Sequence, residues 1–174
     1  MQLAFQYIRN SRVLLTVIGT GLLCLCTQVN IPLHPVHISL QTVAVLIIGL
    51  TFSKVDALRS VASYLALGAM GAPVFSYYSG GVTKLMGPTG GYLFGFLAAV
   101  WVMCTLRERI TRMGTKETFL VALVGSATVF LLGMPWLSTF VGWNAAITAG
   151  LVPFILPGIV KSVLVASAVR YIQK

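Results

Sequence analysis

The residues of this chain that can do chemistry cluster between Pro73 and Phe96, PVFSYYSGGVTKLMGPTGGYLFGF, with Gln41 and Lys161 as outlying members. Their types suit recognition rather than bond-making. A site for a small molecule needs a few fixed polar groups, apolar walls and, for an anion, a cation. Gln41 can both donate and accept. Tyr64, Phe75, Tyr77, Tyr78 and Tyr92 offer walls, and Ser76, Ser79, Thr83 and Thr89 offer hydroxyls. Gly80, Gly81, Gly87, Gly90 and Gly91 let backbone amides come close to a ligand. Lys84 and Lys161 supply positive charge. Plainer readings stand beside these. Gln41 can tie two helices together, Tyr77 and Tyr78 can sit in an interfacial belt, and Gly87 can serve a turn alone.

The signatures of catalysis are missing from the sequence. It has no G-x-S-x-G nucleophile turn, no H-E-x-x-H and no G-x-x-x-x-G-K-[ST] phosphate loop. His34 and His37 flank Pro35 in one loop without a neighbouring carboxylate, and read as solvated loop histidines. Cys24 and Cys26 lie in an apolar run with no acidic or His neighbour at ligand spacing, which is the pattern of helix packing. No cofactor or metal is expected.

The elements that must position these groups are membrane helices. The chain is 57% hydrophobic and 9% charged, with a mean hydropathy of +0.93. A soluble domain carries roughly a quarter charged residues. Hydropathy predicts an all-α integral membrane protein, a six-transmembrane-helix bundle in a single domain over 1–174. The expected spans are about 13–29, 38–52, 57–71, 90–106, 118–135 and 152–169. Arg9 and Arg12 precede an apolar run with no small-x-small cleavage site, so the first span is expected to be retained. Several spans are short for a perpendicular crossing. Ser53 is a plausible N-cap for the third, and the stretch from Leu137 to Gly150 reads as interfacial. The stretch 73–89 cannot be a membrane helix: Gly80-Gly81 and Gly87-Pro88 are turn chemistry. Irregular backbone at membrane depth is tolerated only inside protein or beside a cavity. We expect a re-entrant or capping loop over the mouth of the bundle.

Charge gives the orientation. Arg9, Arg12, Lys54, Arg59, Arg107, Arg109, Arg112, Lys116, Arg170 and Lys174 all fall on one side of the expected spans, and Lys84 and Lys161 on the other. The positive-inside rule then predicts that both termini are cytoplasmic. Asp56, Glu108 and Glu117 are on that same side, so the outer half has no carboxylate side chain. The net charge of +9 reports this topology, and nucleic acid is not expected as a partner. Small residues repeat at four-residue spacing as Gly91, Gly95 and Ala99, and as Ala62 and Ala66, where close packing within the bundle is expected. A similar row, Thr16, Thr20 and Cys24, is the better candidate for docking another membrane subunit.

IPLHPVHISLQT, SYLALGAMGAPVF, SGGVTKLMGPTGGYLFGF and the late PFILPGIVKS together resemble the BioY family, the biotin-capturing S components of energy-coupling-factor (ECF) transporters. The likeness runs from about Ile31 to Phe96 and returns more loosely from Pro153 to Lys161. It implies uptake of biotin across the cytoplasmic membrane of a prokaryote. The chain would act as the substrate-binding subunit of an ECF transporter, partnered by a transmembrane coupling subunit and ATPases, or as a solitary permease. The alternatives are capture of another small carboxylate vitamin, or a non-binding scaffold subunit. Read on their own chemistry, the expected ligand contacts are Gln41, Tyr64, Phe75, Ser76, Ser79, Gly80, Gly81, Thr89, Gly90, Tyr92, Asn144 and Lys161. One departure stands out: the family usually has an acidic residue three positions before the last helix's Lys, and here that position is Gly158. Backbone carbonyls from Leu156 to Gly158, or Asn144, are the expected substitutes for its hydrogen bond.

Overall fold

A computed structural model describes residues 12–32 and 36–172. Its helices are α1 (Arg12–Gln28), α2 (Gln41–Thr51), α3 (Lys54–Ala69), α4 (Val82–Leu85), α5 (Gly90–Arg109), α6 (Thr115–Val141), α7 (Trp143–Gly150) and α8 (Val152–Ile172). A two-residue antiparallel pair, β1 (Asn30–Ile31) and β2 (Ile38–Ser39), closes the loop between α1 and α2. Three runs among the described residues are long and apolar enough to cross a membrane: α5, α6 and the stretch from Trp143 to Tyr171. Helices are the form expected of such sequences, because hydrocarbon offers backbone N–H and C=O groups no other partner.

α2 is the central piece. Its eleven residues give about 16 Å of length at 1.5 Å per residue, about half a bilayer core. It is apolar on every side and packs against α1, α5, α6 and α8, as a helix without a polar face must. α3 begins at Ser53, whose Oγ accepts from Asp56 N at 3.2 Å and donates to Asp56 Oδ2 at 2.6 Å. Ser53 is thus the N-cap that the sequence suggests, with Asp56 bound back to its hydroxyl.

Two boundaries differ from expectation. The fifth apolar stretch does not end near Pro135. α6 continues through that proline to Val141, and Gly142, at φ 80°, makes the break before α7. A proline removes one helix hydrogen bond, and in apolar surroundings the residues beyond it gain nothing by leaving the helix. The stretch from Leu137 to Gly150 is therefore helical throughout, apart from Gly142.

The small-residue rows also divide. Gly91 and Gly95 bring α5 against α6: a Cβ at Gly91 would strike Trp136, and one at Gly95 would lie 3.0 Å from the Val129 carbonyl. Ala99 is fully buried on the same face. Ala62 and Ala66 point outward instead, because α3 turns Val61, Tyr64, Leu65 and Gly68 to the core. The row on α1 is taken up within the bundle at its middle residue, while Thr16 and Cys24 are half-exposed. Thr20 is buried and donates to the Ser60 carbonyl at 3.1 Å, and a Cβ at neighbouring Gly19 would press on the Ser60 side chain. That face is used on α3.

Candidate functional site

A cavity of about 730 Å³ lies where the loop before α2 and the loop between α3 and α5 meet α2, α3, α5, α6 and α8. Its polar floor is built around Tyr64. Gln41, the first residue of α2 and only 4% exposed, donates from Nε2 to the Tyr64 hydroxyl at 2.8 Å. That hydroxyl has one proton and two acceptors in reach, the Val74 carbonyl at 3.3 Å and Thr27 Oγ1 at 3.1 Å. Thr27 commits its own proton to the Leu23 carbonyl at 2.6 Å. Gln41 thus ties helices together with one half of its amide, while Oε1 accepts from no described residue and remains an acceptor at the cavity wall. The helix-tying reading of Gln41 is therefore met, and its amide oxygen is left at the cavity wall.

The roof is a tight, strained loop. Phe75 and Ser79 pair across it, Phe75 N donating to the Ser79 carbonyl at 2.9 Å and Ser79 N to the Phe75 carbonyl at 3.3 Å. Ser79 Oγ donates to the Ser76 carbonyl at 2.7 Å. Between them Tyr77 and Tyr78 both take left-handed backbone, φ 61° and 53°. That conformation is costly for a residue with a Cβ, and where it persists the surroundings impose it. Here they do. Gln28, at the end of α1, donates from Nε2 to the Phe75 carbonyl and accepts from Tyr78 N at Oε1, each at 3.2 Å. Gly81 N reaches the Gly68 carbonyl at 2.7 Å. Gly68 has no Cβ because the Phe75 ring occupies that space, edge-on to Tyr64 at 5.4 Å. The roof meets the first loop where Tyr77 stands edge-on to His37, centroids 5.5 Å apart. Burial, and then the charge of Lys84, lower the His37 pKa below its usual value, so its imidazole is neutral near pH 7.

The remaining walls are aromatic and carry a single inner cation. Tyr92 on α5 donates from its hydroxyl to the Gly150 carbonyl at 3.0 Å and leans on Gly133. Leu93, Phe96, Val129, Phe130 and Phe154 complete the apolar end. Trp136 Nε1 donates to the Gly87 carbonyl at 2.9 Å, fixing the Gly87-Pro88 turn to α6. Lys161, on α8, is half-buried and donates from Nζ to the carbonyl of Ser39. Its partner is neutral, so the charge stays available to an anion. Lys84 is exposed at the rim.

The sequence model of the BioY family matches residues 2–174. The chain belongs to the BioY family. It is 36% identical over 135 residues to a probable biotin transporter BioY of Pyrococcus horikoshii, covering 78% of this chain and 79% of that one. It is 36% identical over 162 residues to the biotin transporter BioY of Thermotoga maritima, covering 90% and 92%. Its structure matches a crystal structure of the S-component for biotin from an ECF-type ABC transporter, with a TM-score of 0.84 and 25% identity over 93% of this chain and 90% of that one. These relatives are transporters, and this BioY chain is an integral membrane protein rather than an enzyme.

Of the residues picked out by sequence, Gln41, Tyr64, Phe75, Ser76, Ser79, Thr89, Tyr92 and Lys161 line the cavity. Gly80, Gly81, Gly90 and Asn144 do not. Gly80 lies against the Gly71–Ala72 backbone, and Gly90 against the Leu85 carbonyl, so both glycines serve chain-on-chain contact. Gly81, at φ 95°, serves the turn into α4. Asn144 is exposed on α7, away from the cavity. Gly158 borders a different, apolar hollow and Leu156 is exposed, so that backbone does not replace the missing acidic group at the cavity. Sequence reasoning passed over Gln28, Gly68 and Trp136. Gln28 was legible as a lone amide at the end of an apolar run. The other two carried no local signal. His34 lies outside the described residues.

Proposed function

We propose that this BioY protein captures biotin at the outer face of the cytoplasmic membrane of a prokaryote and delivers it inward as the S component of an ECF transporter. Its partners would be a transmembrane coupling subunit and ATPases. The observation that carries the reading is the pairing, in one cavity, of a half-buried ammonium lacking a described acid partner with an unspent amide oxygen on an aromatic-walled space. Biotin has a ureido ring with two N–H donors and a carbonyl, an apolar sulfur ring, and a carboxylate on a flexible chain. Gln41 Oε1 suits a ureido N–H. The Lys161 ammonium suits either the carboxylate or the ureido oxygen, both charge-assisted contacts. Tyr92, Phe96, Phe130 and Phe154 suit the apolar rings and chain.

In this reading the protein lies as a six-helix bundle with both termini cytoplasmic, supported by the one-sided distribution of Lys and Arg. Lys84 and Lys161 then sit at the outer side, where they attract an anionic vitamin. Equilibrium binding of labelled biotin to the purified protein is the test, with dethiobiotin, lipoate and pantothenate as competitors. Saturable binding displaced by dethiobiotin and not by pantothenate is expected. Absence of biotin binding overturns the reading in favour of a scaffold subunit, and stronger displacement by lipoate or pantothenate overturns the ligand.

A further inference from the structure

Phe130 belongs to two spaces at once. It borders the cavity and also a second hollow of about 580 Å³ on the seam between α6 and α8. That hollow is almost wholly apolar, walled by Leu123, Ala127, Leu131, Met134, Ile155 and Ile159. Among the described residues Phe130 alone borders both. Its ring is held on two flanks, edge-on to Tyr92 of α5 at 6.0 Å and tilted against Phe154 of α8 at 5.8 Å. Tyr92 is in turn fixed through its hydroxyl to the Gly150 carbonyl. The α8 side of the hollow is roomy, since a Cβ at Gly158 would meet no heavy atom within 4 Å. A large ring in a braced position thus separates one apolar space from another.

We propose that Phe130 is a specificity-determining partition: its ring sets the depth of the ligand cavity and so limits the length of apolar chain that a bound ligand can carry. The proposal deepens the reading of the cavity as a biotin site and rests on it. Selection here works by exclusion. A ligand whose chain ends short of the ring keeps its contacts, whereas a longer one collides with a side chain that Tyr92 and Phe154 prevent from swinging away. Removal of the ring would join the two spaces and give the added methylenes an apolar place to go.

The experiment compares wild type, Phe130→Leu and Phe130→Ala in phosphatidylcholine nanodiscs, with biotin and biotin N-octylamide as probes. The affinity for the octylamide relative to biotin is expected to rise at least about tenfold in Phe130→Ala, a modest demand for several buried methylenes, and by less in Phe130→Leu. Phe130→Leu, the gentler change, keeps the test open if Phe130→Ala folds poorly. An unchanged ratio in the folded variants overturns the proposal. A second readout needs no biotin. Leu93→Cys places a thiol at the cavity wall in a background with Cys24, Cys26 and Cys104 changed to Ala, and N-dodecylmaleimide in the bilayer is the reagent. Adding Phe130→Ala should speed its labelling several-fold, and equal rates overturn the partition. Faster labelling, with a wild-type protein that fails to bind biotin, would sink the biotin reading and leave the partition standing.

Discussion

The two ends of the bundle use similar polar residues to opposite purposes. At the cavity end, Gln41, Lys161 and the hydroxyl-bearing loop surround a space, and part of their bonding capacity is unspent. At the other end, about 30 Å away along α5, polar groups are turned on the chain itself. Arg107 donates to the carbonyls of Gly49 and Phe52, closing the end of α2. Lys54 donates to Thr105 Oγ1 at 2.8 Å with its ammonium 5.0 Å from the centre of the Trp101 ring. Two buried atoms, Asp56 Oδ1 and Arg170 Nε, are left over there among the described residues. The lesson is that cations on one membrane protein have two uses. Arg107 turns its guanidinium on helix-end carbonyls and holds the fold, whereas Lys161, facing a cavity with a single neutral partner among the described residues, is the cation proposed to hold a ligand.

That contrast predicts which variants lose binding and which lose stability. The largest effect is expected at Gly90. Gly90→Leu must displace the Leu85 carbonyl and the Trp136 ring that braces the roof, so biotin binding should vanish and the melting temperature should fall; normal binding would mean that the roof is only a connector. Lys161→Ala comes next. Loss of a charge-assisted contact of about 2 kcal/mol weakens biotin binding about thirtyfold, with little change in melting temperature. Biotin methyl ester sharpens this result. A carboxylate contact predicts that Lys161→Ala hardly alters ester binding, and a ureido contact predicts equal losses for acid and ester.

The opposite end should give the reverse pattern. Arg107→Leu leaves the Gly49 and Phe52 carbonyls without their donor, a cost of about 1–3 kcal/mol, read as a lower melting temperature with biotin affinity unchanged. A thirtyfold loss of affinity in that variant would erase the distinction between the ends. The smallest effect concerns pH. Burial and Lys84 hold the His37 pKa below 6.5, so the folded state disfavours the imidazolium. By linkage this group contributes no penalty above about pH 6.5 and a growing one as pH falls from there toward its lowered folded value. A pH titration of melting temperature should therefore decline as pH falls below about 6.5, less steeply in His37→Phe; identical profiles would remove His37 from the account.

Much of the helical layout was legible because its signals are local. Apolar runs separated by Asn30-Ile31-Pro32, Ser53-Lys54 and the charged stretch after α5 leave few choices of helix. Gly-Gly and Gly-Pro pairs rule out a helix through most of 73–89. Ser53 announced its cap in the same local way. Misread features needed a neighbour. Pro135 stops helices in water, where the freed backbone groups find solvent. In apolar surroundings α6 runs on to Val141.

The sequence by itself determined that the chain is a set of apolar helices, that an irregular glycine- and tyrosine-rich stretch interrupts them, and that its motifs are those of the BioY family. Only the tertiary structure decided which way each helix faces. A helix in water declares its buried side by contrast between apolar and polar residues. α5, α6 and α8 are apolar nearly all round, so periodicity could not say that Gly91 meets Trp136 or that Gly158 faces away from the cavity. The same holds for contacts distant in sequence. Lys161 finds the Ser39 carbonyl, and Gln28 holds Phe75 and Tyr78, through folding alone. Such pairings arise where helices pack closely enough to bring their polar atoms within hydrogen-bond reach, and no spacing along the chain encodes them.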